Sequence, residues 1–167
     1  MAAMEVIDTP DAAAARPAAM TATRVAVNGW SDVAITRHQA RRLAREHGIE
    51  PRRAGEVAIV VSELASNIVK YGVRGEISLH VAANAGGVMA LTVVASDVGP
   101  PIHDLPTAML DGHDDRGPID PALLAHRGGL GTGLGAVARL ADGLEVRQER
   151  GGKQIIATFF RGLPGGA

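Results

Sequence analysis

The stretch from Val60 to Gly72 constrains the fold of this chain more than any other, because it has the spacing of a helix with one narrow polar stripe. Glu63, Asn67 and Lys70 lie four and three residues apart, so they share one strip of a helix surface. The opposite side carries the apolar residues Val57, Val61, Leu64, Ala65 and Ile68. Taken alone, the helix favours an ordinary solvated face, although asparagine is unfavourable inside a helix and therefore suggests a specific role for Asn67.

The composition limits the chain to one domain and argues against several classes of function. The 167 residues, 46% of them hydrophobic, suffice for one core. A net charge of −1 and an aromatic content of 2% argue against nucleic-acid binding, which needs a basic excess or stacking aromatics. The absence of cysteine excludes disulfides and zinc–thiolate sites and fits a cytoplasmic location. No apolar run approaches the roughly 20 residues that span a bilayer, so no membrane association is expected.

Hydrophobic periodicity and turn residues predict the element order βααββ, then a long loop, then αββ. In chain order, the predicted elements are a strand at 23–28, a helix from Ser31 or Asp32 to about His47, a helix from Pro51 to near Gly72, strands at 76–83 and 88–96, a helix at 136–142, and strands at 144–148 and 154–160. This order predicts an α/β two-layer sandwich, in which a mixed, mostly antiparallel sheet carries the helices on one face.

The predicted domain covers residues 23–161, with a disordered N-terminal tail at 1–22 and a short C-terminal tail at 162–167. Residues 103–127 contain three prolines, three histidines and five aspartates without a sustained period. A loop of this length inside a domain is usually functional or disordered, and here we expect a mobile lid.

Two further segments carry chemistry. Asp97, in the run Asp-Val-Gly-Pro-Pro-Ile, follows an apolar strand, so its carboxylate could accept a hydrogen bond from an adenine amine or simply start a turn. The run from Gly128 to Gly135 leads into a helix, and backbone N–H groups at a helix start bind anions. Two alternatives for this run are a hinge without a ligand and, less favoured because no strand precedes it, a dinucleotide-binding loop.

These three segments, in this order, resemble the GHKL ATPase family, whose nucleotide pocket is the Bergerat fold. The likeness runs from about Thr23 to about Arg161. Within the family, the run Ser62-Glu-Leu-Ala-x-Asn-Ile followed by Tyr71 is similar to the RsbT-like switch-protein serine kinases, which are related to the RsbW-like anti-sigma factors.

The resemblance implies ATP and Mg²⁺ as cofactors. It implies that Glu63 acts as general base, that Asn67 holds the Mg²⁺, and that Asp97 selects adenine. Lys70 could reach a phosphate as a point charge or remain solvated. The other residues expected around the nucleotide are Gly99, Ile102, Gly129, Leu130, Gly131, Thr132, Gly133, Leu134 and Gly135.

The implied function is that of an ATP-binding anti-sigma regulatory factor that phosphorylates a serine or threonine of a STAS-domain antagonist in bacterial partner switching. A sigma factor or a downstream phosphatase is a further possible partner. One alternative is a binding module of the same fold with little or no phosphoryl transfer. Another alternative is the catalytic domain of a histidine kinase. It is disfavoured, because residues 1–22 are not expected to supply the dimerisation helices that carry a phospho-acceptor histidine.

The chain departs from the family pattern Asp-x-Gly-x-Gly at Pro101, which stands where the second glycine is expected. Proline fixes φ, removes an N–H and restricts the preceding Pro100 to extended conformations. If this position needs a positive φ or a close approach to nucleotide, Pro101 will weaken binding or reshape the pocket.

One cluster of arginines and one of histidines could each be a binding site or simply solvated side chains. An arginine cluster could dock an acidic partner, although a solvated helix face and loop is favoured; its members are Arg41, Arg42, Arg45, Arg52 and Arg53. Three histidines of the expected lid, at 103, 113 and 126, could bind a metal, but their spacing matches no standard site and favours a solvated loop.

Overall fold

Five strands of seven or nine residues make up most of the main sheet. The structure, a computed structural model, describes residues 4–5, 21–110, 113–114, 117–118 and 133–162. The strands are β1 (Met4–Glu5), β2 (Thr21–Val27), β3 (Gly75–Ala83), β4 (Met89–Asp97), β5 (His113–Asp114), β6 (Gly117–Pro118), β7 (Gly143–Glu149) and β8 (Gly152–Phe160). The helices are α1 (Trp30–Glu46), α2 (Pro51–Tyr71), α3 (Leu105–Ala108) and α4 (Gly133–Leu140).

The main sheet has the order β1-β7-β8-β4-β3-β2. Its neighbours pair antiparallel except for β1, which runs parallel to β7. Residues such as Ile77, Val93 and Ala157, which point to one face, pack with the apolar side of α2 in one core. The predicted α/β sandwich, with a mixed and mostly antiparallel sheet and helices on one face, is therefore confirmed.

Helix α1 begins slightly earlier than predicted. Its N-cap is Gly29, whereas the sequence predicted Ser31 or Asp32 at this position. Asp32 instead occupies the third helical position, where its Oδ2 accepts hydrogen bonds from the backbone N–H groups of Asn28 at 2.7 Å and Gly29 at 3.1 Å. Gly48, with φ of +76°, follows the helix. The carboxylate still satisfies the helix start, but from inside the first turn.

The described part of the expected lid contains one short helix and two short strands. Asp104 caps α3 by accepting hydrogen bonds from the backbone N–H of Thr107 at 3.0 Å and from its hydroxyl at 2.7 Å. These bonds lower the pKa of Asp104 from its usual value. Strands β5 and β6 pair with each other, separately from the main sheet. Within the predicted lid at 103–127, residues 111–112, 115–116 and 119–127 lie outside the described residues.

The N-terminal region differs in part from the expected disordered tail at 1–22. Met4 and Glu5 form β1 and pair with Leu144 and Glu145 of β7. Strand β2 begins at Thr21, two residues before the predicted strand. The remaining residues of that expected tail, and residues 163–167 of the C-terminal one, lie outside the described residues. None of the helices in the described ranges is long and apolar enough to cross a membrane.

Arg53 is buried, so the predicted solvated face is wrong for this member of the arginine cluster. Its side chain is 3% exposed and bonds Glu56 Oε2 and Asp142 Oδ2, each at 2.6 Å, and the carbonyl of Leu140 at 2.8 Å. The guanidinium also stacks 5.1 Å from the ring centroid of Phe159. Arg53 therefore joins the start of α2 to the end of α4 and to β8. The other four arginines of the cluster are exposed.

Candidate functional site

The polar stripe of α2 is more buried than a solvated face would be. Glu63 is 4% exposed, and Asn67 and Lys70 are half-buried. The ammonium of Lys70 lies 5.9 Å from the ring centroid of Trp30, at the start of α1. A carboxylate at this depth is uncommon unless it is paired or hydrogen-bonded, so the expected solvated face is wrong for Glu63.

Glu63 borders a groove of about 590 Å³ between α1 and α2. The groove is lined by Trp30, Val33, Arg37, Arg41, Gly55, Ala58, Ile59, Ser62, Glu63 and Ser66. Trp30 is 46% exposed at one side of it. The groove therefore combines an exposed aromatic ring and two guanidinium groups with a buried carboxylate.

Asp97 ends β4 with its side chain turned into the protein. The residue is 8% exposed, and its Oδ1 accepts hydrogen bonds from the backbone N–H of Gly99 at 2.7 Å and from Lys153 Nζ at 2.8 Å. The same ammonium donates to the carbonyl of Pro100, also at 2.8 Å. Asp97 and Lys153 additionally border a cavity of about 430 Å³ at the strand ends.

Three glycines pack against Asp97 where a larger residue would collide. A Cβ at Gly99 would lie 2.7 Å from Asp97 Oδ1 and 2.9 Å from the carbonyl oxygen of Tyr71. At Gly72, which follows α2, it would lie 3.2 Å from Asp97 Cγ, and at Gly152 it would lie 2.4 Å from the Asp97 carbonyl oxygen. Gly99 thus permits the close approach of the β4 end to the α2 end.

The turn after Asp97 is held from a neighbouring strand. The backbone N–H of Ile102 donates to Gln148 Oε1 at 2.6 Å, and Gln148 Nε2 donates to the carbonyl of Ile102 at 3.2 Å. Ile102 packs on the core, whereas Pro101 is exposed. The proline ring therefore points to solvent within the described part of this turn, and the turn's shape depends on Lys153 and Gln148.

The glycine run is only partly within the described residues. Helix α4 begins at Gly133, three residues before the predicted Ala136, and Gly133 has φ of +50°. Leu134 and Gly135 are buried in this helix rather than open in a loop. Gly129, Leu130, Gly131 and Thr132 lie outside the described residues.

Helix α2 sets the separation between the two carboxylates. Nine positions separate Glu63 from Gly72, which touches Asp97, and Asn67 lies between them. At 1.5 Å per residue this is about 13 Å along the helix axis. The described residues therefore present the buried carboxylate of Glu63 near the middle of α2, the amide of Asn67 one turn further on, and the buried carboxylate of Asp97 at the C-terminal end of the helix.

Lys153 and Gln148 were not found by sequence reasoning. Lys153 is the direct cross-strand partner of Asp97, which places both side chains on the helix-bearing face of the sheet. The sequence indicated only that both residues belong to the last hairpin. It did not give the order or the register of the strands, which place them beside Asp97 and Ile102. Among the described residues, no group of three His, Cys, Asp or Glu side chains could hold a metal ion. Of the three histidines in the expected lid, for which a solvated loop was favoured over a metal site, His126 lies outside the described residues.

The fold and this arrangement define a class of protein. Residues 28–159 match the family model described as the histidine kinase-like ATPase domain, and the chain belongs to this family. The resemblance to GHKL ATPases is thereby confirmed. The mostly antiparallel order of the described long strands also differs from the parallel units of a dinucleotide-binding fold.

One named protein is similar to this chain in sequence, and one solved structure is similar to it in fold. The chain is 32% identical over 127 residues to the serine/threonine-protein kinase RsbT of Bacillus subtilis (strain 168), covering 75% of this chain and 86% of that protein. Among solved structures, it is similar in fold to the SiaB–SiaC complex from Pseudomonas aeruginosa. The TM-score is 0.52 at 19% identity, with 84% of this chain and 89% of that chain covered. The chain is thus an ATPase-fold protein with a protein kinase among its relatives.

Proposed function

We propose that the chain is an ATP-dependent serine/threonine protein kinase whose acceptor is a hydroxyl group on a STAS-domain protein of a bacterial partner-switching pathway. The observation that carries this proposal is the order of groups along α2. Asp97 touches the C-terminal end of the helix, Asn67 lies along it, and Glu63 is buried beyond Asn67. The span of about 13 Å is comparable to the length of an extended nucleoside triphosphate from base to terminal phosphate. The kinase relative supports the same assignment.

The residues present fit an adenine nucleotide. Both described hydrogen bonds to the Asp97 side chain end on Oδ1, so within the described residues its Oδ2 remains available to accept from an exocyclic amine. A single amide oxygen, that of Asn67, fits Mg²⁺, which takes oxygen ligands and is held largely by phosphates and water. Mg²⁺ would neutralise charge on the phosphates when bound.

Each group has a role that its position supports. Asp97 would orient the base and Asn67 would contribute an oxygen to the metal. Glu63 would accept or orient the proton of the attacking hydroxyl, which must approach within about 3 Å for this role. Positioning and charge neutralisation carry most of phosphoryl transfer, so the protein needs few reactive groups.

The groove between α1 and α2 supports an approach of the acceptor protein to Glu63. Trp30 offers an exposed apolar ring, and Arg37 and Arg41 offer positive charge along the same groove. An acceptor segment with a serine or threonine flanked by acidic residues would complement these groups. Such a segment would meet Glu63 from the side of the groove, opposite to the course of a nucleotide along α2.

A second function, a partner-binding module with little or no transfer, is favoured by one observation. Pro101 removes a backbone N–H from the turn that follows Asp97, and this turn relies on side chains of β7 and β8 for its shape. In that case the same groove would bind a sigma factor or an antagonist without phosphorylating it.

Glu63→Gln separates the two functions. The exchange keeps the size of the side chain and removes its ability to accept a proton, so we expect phosphate transfer to fall by about 10²–10⁴-fold while partner affinity stays within about threefold. The measurement is incubation with ATP·Mg²⁺ and a purified STAS-domain protein from the same organism. Mass spectrometry then detects phosphoserine or phosphothreonine, and calorimetry gives partner affinity.

Glu46→Gln is the matched control, because Glu46 is an exposed glutamate of α1. It should transfer phosphate like the wild type. Transfer at the wild-type rate by Glu63→Gln would exclude Glu63 as the base. Partner binding by a wild type that transfers no phosphate would favour the binding module.

A further inference from the structure

Lys153 contacts the carboxylate that the proposed function assigns to adenine. Its ammonium donates to Asp97 Oδ1 and to the Pro100 carbonyl, each at 2.8 Å, and its side chain is only 9% exposed. An ammonium has three N–H donors. Within the described part of the chain, these two contacts leave one donor of Lys153 for a ligand.

The register of the sheet fixes the face on which the Lys153 side chain lies. Asp97 and Lys153 are directly opposed in the antiparallel pair β4–β8, so their side chains share the face that carries the helices. Ala95 and Ile155, the next pair on that face, are buried in the core. The Asp97–Lys153 pair therefore lies at the edge of the hydrophobic core, on the face of the sheet that carries α2, where the proposed nucleotide would lie.

The ion pair also orients the carboxylate. Gly99 N–H and Lys153 both occupy Oδ1, which directs Oδ2 toward the remaining space. The pair consequently offers an acceptor, Asp97 Oδ2, beside a donor, the third N–H of Lys153. The Watson–Crick edge of adenine carries the complementary groups side by side, since its 6-amine donates and its N1 accepts. Guanine in the same orientation presents a carbonyl to the carboxylate and an N–H to the ammonium, so both contacts become repulsive.

We propose that Lys153 is a specificity-determining residue of the base subsite, donating a hydrogen bond to N1 of adenine while it holds Asp97 for the 6-amine. This inference rests on the proposed function in that it requires an adenine nucleotide at Asp97. It extends that function by assigning a direct base contact to a residue outside the three sequence motifs.

The test uses 1-deaza-ATP, in which a C–H group replaces N1 and the 6-amine is kept. Calorimetric titration compares ATP·Mg²⁺ with 1-deaza-ATP·Mg²⁺ on the full chain and on Lys153→Met. We expect the wild type to bind ATP about ten- to a hundredfold more tightly than the analogue, the usual value of a hydrogen bond from a charged group. Lys153→Met should bind both nucleotides with equal affinity, because it lacks the donor.

Two further variants complete the experiment. Arg150→Met removes a positive charge from the exposed turn of the same hairpin and should discriminate like the wild type. Lys153→Gln keeps an N–H donor without the charge and should retain part of the discrimination. Thermal unfolding of every variant establishes that it is folded, and the wild-type comparison needs no variant at all.

The outcomes separate this inference from the function on which it rests. Equal binding of ATP and 1-deaza-ATP by the wild type overturns the N1 contact and leaves the proposed function standing. Discrimination between the two nucleotides that persists in Lys153→Met also overturns the N1 contact. A folded Lys153→Met that binds neither nucleotide overturns it as well, since Lys153 would then serve only to hold the turn. A wild type that binds neither nucleotide overturns the proposed function, and this inference with it.

Discussion

At the scale of single residues, the main feature of this protein is a set of buried ion pairs that connect its elements. Arg53, Asp97 and Lys153 are all largely removed from solvent, and each has an ionic partner in the described structure. Buried charges are costly unless they are paired, so removing one member leaves the other without compensation. The Arg53 pairs tie elements together, whereas the Asp97–Lys153 pair lies at the proposed base subsite.

Arg53→Leu should destabilise the fold strongly. The substitution leaves the carboxylates of Glu56 and Asp142 buried without their guanidinium, and we expect the free energy of unfolding to fall by about 3–5 kcal/mol. Urea denaturation measures this change. Arg52→Leu is the control, because the Arg52 side chain is 76% exposed in its pair with Glu56, so its loss should cost less than about 1 kcal/mol. A cost for Arg53→Leu as small as that of Arg52→Leu would contradict this account.

Sequence reasoning identified some of these residues and missed others for a physical reason. Asp97 was a candidate because it directly follows an apolar strand and lies in a run that resembles the GHKL ATPases, although the strand pattern alone also fits an aspartate that starts a turn. The burial of Arg53 was not, since neighbouring arginines of the same cluster are exposed and the local pattern does not distinguish them. Lys153 acquires its role only through its partner on β4, and that register is a property of the folded sheet.

At the scale of elements, α2 and the strand that follows it meet with little space between them. Gly75 begins β3, and a Cβ there would lie 2.1 Å from Cγ2 of Ile68 on α2. No side chain larger than hydrogen fits this contact unless the Ile68 side chain or the helix that carries it moves. The absence of a side chain at Gly75 therefore permits the close approach of Ile68 on α2 to the start of β3.

Gly75→Ala should lower the free energy of unfolding by about 1–3 kcal/mol through overpacking. Ile68→Leu removes Cγ2 and should restore part of this loss, giving a favourable coupling of at least about 0.5 kcal/mol in a double-mutant cycle. Thermal or urea unfolding of the four proteins measures it.

Gly143→Ala serves as the control for this cycle. A Cβ at Gly143 would meet Thr158 Cβ at an ordinary 3.8 Å, so the change should be neutral or stabilise by about 0.4–1 kcal/mol. Additive effects of Gly75→Ala and Ile68→Leu would show that the two residues do not compete for the same space.

The existence of most elements was predictable, but some of their ends were not. Helix α2 was predicted almost to the residue, because its apolar period, its proline at the start and its glycine at the end agree. Helix α4 begins three residues early, because Gly133 and Gly135 resemble a loop in sequence while the surrounding core accepts them in a helix. Tertiary packing overrides the low helix propensity of glycine there.

At the scale of the whole molecule, the fold brings segments together that are far apart in sequence. Lys153 and Gln148, in the last hairpin, hold the turn between Asp97 and Ile102. The end of α2 contacts the same turn through Gly72 and Gly99. The pattern of helices and strands predicts the two layers, and the resemblance to GHKL ATPases predicts the approximate site. The contacts that shape the site depend on strand order and could be obtained only from the structure.

The central claim is that the described end of α2, together with Asp97, binds ATP·Mg²⁺. Its most direct test is calorimetric titration of ATP·Mg²⁺ into the wild type, Asp97→Asn and Asn67→Ala, with Glu46→Gln as an exposed-carboxylate control. We expect saturable binding by the wild type and the control, a loss of at least about tenfold in affinity for Asp97→Asn, and a loss of the Mg²⁺ dependence for Asn67→Ala. Wild-type affinity in Asp97→Asn, or no binding by the wild type at millimolar ATP, would contradict the claim.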